Sequence, residues 1–83
     1  MSTYHEIDLA YPLDTGFEKR DREIEAVAKK YNGSWVSSGA GQGLRDIQIE
    51  VNTEQEARGL INELEKKYSD FDYISYCTLD EDN

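Results

Sequence analysis

Along residues 4–11, apolar and polar side chains alternate. Ile7, Leu9 and Tyr11 fall on one side, and Glu6, Asp8 and Ala10 on the other. A period of two is that of a strand with one buried face. Pro12 has no amide hydrogen to give to a ladder and ends it. The period then changes. Phe17, Ile24, Val27, Ala28 and Tyr31 recur on one face of a helix over 17–31. Asp14 or Thr15 stands at its cap, and Thr15-Gly16-Phe17-Glu18 has capping-box spacing. Asn32-Gly33 tolerates left-handed backbone and stops it.

Trp35 and Val36 mark a second strand over 34–38. A glycine-rich connection, Gly39-Ala40-Gly41-Gln42-Gly43, leads to a third strand over 45–51, in which Ile47, Ile49 and Val51 alternate with Asp46, Gln48 and Glu50. Two strands joined this way make a hairpin. Thr53-Glu54-Gln55-Glu56 is a second capping box, and Ala57, Leu60, Ile61, Leu64 and Tyr68 follow at helical spacing. Gly59 inside that helix costs roughly 1 kcal/mol against alanine, to be offset by close packing on a strand. Residues 73–79 read as a last strand whose inward side is open between Ile74 with Tyr76 and Cys77 with Leu79.

The resulting order, β-α-β-β-α-β, is that of the ferredoxin-like plait, an α+β fold. Right-handed crossovers place both helices on one face of an antiparallel sheet ordered 4-1-3-2. The chain of 83 residues fits one domain over 1–79, with 80–83 as a mobile acidic tail. With 37% hydrophobic residues it has enough apolar side chains for a core. A deep enclosed site is hard to build at this size.

Charge changes the picture most. The net charge is −9. The acidic and basic residues of the two helices cancel, so strands, loops and tail hold the whole excess. In the expected fold Glu6 and Asp8 share the open sheet face with Asp46 and Glu50 of the adjacent strand, and the tail, with Asp80, Glu81 and Asp82, leaves near Glu6 and the start of strand three. Like charges on neighbouring strands are destabilising. Such a face repels phosphates and anionic lipids, so neither nucleic acid nor membrane is an expected direct partner. A basic protein is, because complementary charge selects partners and speeds association. Tyr4 and Tyr76 are candidate aromatic anchors at the rim.

Candidate chemistry is sparse. Gly39, Gly41 and Gly43 join two strands, whereas a phosphate loop opens a helix. They read as hairpin flexibility, with Gln42 and Arg45 as the contact groups if a ligand binds there. His5 has no second ligand at zinc spacing and is expected as a packed or rim residue. Cys77 reads as a small core residue, because an acidic strand lacks the electropositive setting of a reactive thiolate. The four sheet carboxylates could gather a divalent cation only poorly from a flat surface. No metal, no cofactor and no enzyme activity is expected. The single cysteine allows no internal disulfide. Residues 1–6 lack the basic start and apolar run of a signal peptide, so a cytoplasmic location is expected.

Several plait families are set aside by missing residues. The sheet face lacks the aromatic and basic residues of RNA-recognition domains. It has no Cys-x-x-Cys of metal chaperones. Tyr11-Pro12-Leu13-Asp14 stands where acylphosphatases carry a glycine- and arginine-bearing loop. Two functional readings follow. The first is a non-enzymatic module that inhibits or regulates a basic, nucleic-acid-binding protein through the carboxylate face. In size and charge it is similar to phage-encoded anti-CRISPR and DNA-mimic inhibitors, an analogy and not a motif match. The second is a small-molecule-sensing domain similar to ACT-type regulatory plaits, which pair through sheet edges and bind ligands at the junction. For that reading Gly39, Gly41, Gln42, Gly43 and Arg45 are the candidate ligand residues. A monomer or a homodimer fits both.

Overall fold

The structure, a computed structural model, describes residues 2–81, with side chains for residues 3–80. Strand β1 is Ser2–Pro12, helix α1 Phe17–Lys30, strand β2 Ser34–Gly41, strand β3 Leu44–Val51, helix α2 Glu54–Lys67 and strand β4 Tyr73–Glu81. The sheet is antiparallel throughout, in the order β2-β3-β1-β4. This is the ferredoxin-like plait that the residue pattern predicts, with β1 and β3 central.

Alternation in the central strands does what a period of two requires. Ile7, Leu9 and Tyr11 of β1 and Ile47, Ile49 and Val51 of β3 are buried. They pack with Ile24, Val27 and Ala28 of α1 and Ala57, Leu60 and Leu64 of α2. Each fully buried aliphatic side chain stabilises the fold by roughly 1.5–3 kcal/mol. Glu6, Asp8, Asp46 and Glu50 are left on the other face.

The helix ends differ from expectation at one point. The Thr15 capping box does not form. Gly16 is the N-cap, at φ 97°, and no side chain caps the helix. A left-handed residue suits glycine and lets the chain turn tightly from β1 into α1. The C-terminus behaves as expected, with Tyr31 as C-cap. Asn32 is left-handed (φ 61°), Gly33 N–H bonds Ala28 O at 2.7 Å and Asn32 N–H bonds Lys29 O at 3.1 Å. These two bonds are the Schellman pattern. The second capping box is present: Glu56 N–H donates to Thr53 Oγ1, and Thr53 N–H to Glu56 Oε1, both at 3.1 Å. Gly59 packs against a ring and not a strand: a Cβ there would lie 2.5 Å from Tyr31 Cε1. It brings α2 close to the end of α1.

Two arginines fasten the frame. Arg20 of α1 lies over the rings of Tyr11 and Tyr68, each centroid 4.1 Å away, with Phe71 at 5.0 Å, and grips Asp70 at 2.6 and 3.1 Å. This ties α1 to the α2–β4 connection. Arg45 of β3 bonds Asp21 of α1 at 2.6 and 3.1 Å, and also Gly39 O and Ser38 Oγ at 3.3 Å. It fastens the β2–β3 hairpin to α1.

The hairpin itself is a correction. β2 does not stop at Ser38 but runs through Gly39, Ala40 and Gly41. The connection shrinks to Gln42 and Gly43, both at positive φ (54° and 79°). Two positive φ values match the right-handed twist of a tight hairpin. β4 extends two residues into the sequence read as tail, so Asp80 and Glu81 pair with Thr3 and Ser2. The Glu81 side chain and Asp82 lie outside the described residues. Because β3 is antiparallel to β1, this end of β4 lies by the end of β3, not its start.

Candidate functional site

Register fixes which side chains share the uncovered face of the sheet. Glu6 stands opposite Glu50 on one flank and Cys77 on the other. Asp8 stands between Gln48 and Ser75, and Ala10 between Asp46 and Tyr73. Tyr4 opposes Leu79. Glu6, Asp8, Asp46, Glu50 and Tyr4 therefore share one surface, and among the described residues no lysine or arginine lies on it.

The electrostatics follow from this arrangement. Partial burial raises the Asp8 carboxyl above its usual range, and the hydrogen bond and charge of Glu6 raise it further. Burial, then the charges of Glu6 and Asp8, also raise the Cys77 thiol. That keeps it a thiol, a poor nucleophile. Cys77 is exposed rather than packed in the core, with Sγ 4.0 Å from Glu6 Oε2. Among the described residues, those able to share a metal ion are Glu6, Asp8 and Cys77, with ligand atoms within 4.8 Å of one another. Asp46 and Glu50 do not join that group.

Other sequence candidates lie elsewhere. Tyr76 pairs with Ile7, so it is on the helix-covered face with Ile74, away from the carboxylates. Its hydroxyl meets His5 Nδ1 at 2.8 Å and Thr78 Oγ1 at 3.2 Å. His5 is thus a rim residue, as expected. Asp80 also points to the helix side and accepts a hydrogen bond from Thr3 at 3.1 Å. In the proposed ligand loop, Gly39 and Gly41 are strand residues and Gln42 and Gly43 are the turn. The Arg45 side chain is 15% exposed and is engaged by Asp21, itself 16% exposed, and by Gly39 and Ser38, so it has little left for a ligand. Residues 21 and 45 are too far apart in sequence for the pairing to be read there.

Residue reasoning missed the flank of β4. Tyr73 and Leu79 are 45% and 46% exposed on the open face. On the helix side, open clefts of about 360 and 270 Å³ run between α2 and β4. The first is lined by Glu65, Tyr68, Phe71 and Ile74, the second by Arg58, Ile61, Asn62 and Tyr76. The sequence signal was available: residues 73–81 contain no proline, lysine or arginine. No helix among the described residues is long and apolar enough to cross a membrane.

The chain matches no protein-family model and no curated protein. Solved structures do resemble it. The crystal structure of the ACT domain from GTP pyrophosphokinase of Chlorobium tepidum is 15% identical with a TM-score of 0.60, over 89% of this chain and 96% of that one. Aspartate kinase of Clostridium acetobutylicum, described as an allosteric enzyme, is 16% identical with a TM-score of 0.62, over 92% of this chain but 18% of that one. A de novo designed protein, Ferredog-Diesel, is 13% identical with a TM-score of 0.56, over 96% of this chain and 87% of that one. At these identities the likeness is one of fold.

Proposed function

We propose that this chain is a non-enzymatic, ACT-like regulatory domain that pairs with a second copy through a sheet edge and responds to a small molecule held beside that edge. The observation that carries this reading is the β4 flank: a long regular edge strand next to two open clefts. The fold likeness to an ACT domain over nearly its full length supports it. The internal Arg45–Asp21 pair speaks against the glycine hairpin as the ligand site. The cleft of Arg58, Ile61, Asn62 and Tyr76 combines apolar and polar side chains, as small-molecule sites do. The test is sedimentation equilibrium combined with thermal unfolding against a panel of amino acids and nucleotides. A dimer whose Tm rises with one panel member supports the reading. A monomer indifferent to the panel sinks it.

A second reading rests on the unneutralised carboxylates Glu6, Asp8, Asp46 and Glu50. They suit a basic protein partner, as in DNA-mimic or anti-CRISPR inhibition. Salt separates the two readings by sign. Binding of a basic partner weakens as salt rises, whereas pairing of two copies of charge −9 strengthens as their repulsion is screened. If capture of a basic partner from a lysate is unchanged by reversing all four charges, the second reading fails.

A further inference from the structure

We infer that the pairing surface is β4 itself, joined antiparallel to β4 of a second copy about a twofold axis at Cys77, so that the two sheets become one. The inference rests on the regulatory reading above and names its edge and register.

The sheet has two edges, β2 and β4. An edge strand presents unpaired peptide groups, and proteins protect such edges with bulges, prolines, lysines and short strands. β4 has few of these devices. Its nine residues keep one register against β1 from Tyr73 to Glu81, without a bulge. Only acids at its end interrupt it, and those acids select the register.

In a continuous sheet with all helices on one side, directly opposed residues must face the same way, so each pairs with a residue of its own parity. Centred on Cys77, all nine residues of β4 find partners, Ile74 opposite Asp80 and Ser75 opposite Leu79. No acid within the strand then opposes an acid. Centring on Tyr76 puts Asp80 against Asp72, and like charges directly opposite are destabilising. Centring on Thr78 pairs only seven of the nine β4 residues, 75–81, with one another. Around the Cys77 axis, Leu79 of one copy lies diagonally from Tyr73 of the other, within reach of an aromatic ring. Two exposed apolar side chains thereby cover each other.

Charge also favours the edge over the face. Stacking two open faces would bring their carboxylates to about 10 Å across a drying gap. Edge pairing leaves the Glu6–Asp8 groups on β1 three strand spacings apart, about 14 Å. That exceeds the screening length of about 8 Å at physiological salt.

The test uses the full chain with a short bis-maleimide linker. The expected result is efficient Cys77–Cys77 cross-linking in the dimer. Cys77→Ser is expected to remain a dimer by sedimentation without cross-linking, because the thiol reports the contact and does not cause it. In that background Ser38→Cys, on β2, is expected to cross-link at least tenfold less than Cys77 does in the native chain. A dimer that cross-links through Ser38→Cys and not through Cys77 overturns the β4 assignment while leaving edge pairing intact. A monomer at every concentration overturns both.

Discussion

β2 and β4 both end the sheet with a row of peptide groups turned to solvent, yet they are made differently. β2 carries an extra residue, Val36, between the Trp35–Ile49 and Ser37–Gln48 pairs, which breaks its register. Beyond the bulge it is serine, glycine and alanine. Arg45 reaches across to occupy the carbonyl of Gly39. β4 keeps its register from end to end and sets Tyr73, Cys77 and Leu79 on the open face. The comparison teaches that the acidic excess, the most conspicuous feature of the composition, does not by itself identify the contact surface. Backbone regularity at one edge is an independent cue.

The largest expected effect concerns what holds β2 in place. Arg45→Met leaves Asp21 mostly buried beside Tyr11 without its cation, at a cost of about 3 kcal/mol. Urea unfolding is the measurement. A loss well below 1 kcal/mol would mean that the hairpin is not fastened there. Next is a matched pair of acids. Cys77→Glu places two carboxylates at the axis and is expected to weaken pairing about 100-fold, or about 2.7 kcal/mol. Ser38→Glu on β2 is expected to leave it unchanged. Equal effects from the two would erase the contrast between the edges. Deleting Val36 should remove the bulge and leave β2 in one register. A second usable edge turns a closed dimer into larger assemblies, visible by light scattering.

The smallest effect bears on the open face. The Asp8 carboxyl is raised by partial burial and by Glu6, so the folded state favours its protonated form. The stability this contributes is full below the ordinary carboxyl range and is lost as pH rises through the raised value. Asp8→Asn should therefore stabilise the fold by about 0.5 kcal/mol at neutral pH, with the gain fading in acid. Chemical unfolding of both chains across that range checks the sign.

The sequence made the central strands and both helices legible because each carries one clear period. Ile7, Leu9 and Tyr11 alternate, as do Ile47, Ile49 and Val51, and burial follows directly. It was silent where structure depends on residues far apart. Arg20 enters a box of Tyr11, Tyr68 and Phe71, and Arg45 finds Asp21, contacts that no local spacing announces. Gly39 and Gly41 read as a loop because glycine is depleted in strands. An edge strand held by its neighbour tolerates them. The parity of β4 was undecided because both sides carry apolar residues. Register against β1 turns Ile74 and Tyr76 inward, and that removes Tyr76 from the carboxylate face.

Amide hydrogen exchange followed from dilute to concentrated protein tests the contrast between the edges most directly. If β4 is the pairing edge, exchange over residues 73–81 slows as concentration rises, while residues 34–41 exchange at an unchanged rate. Slowing confined to residues 34–41 would contradict the account.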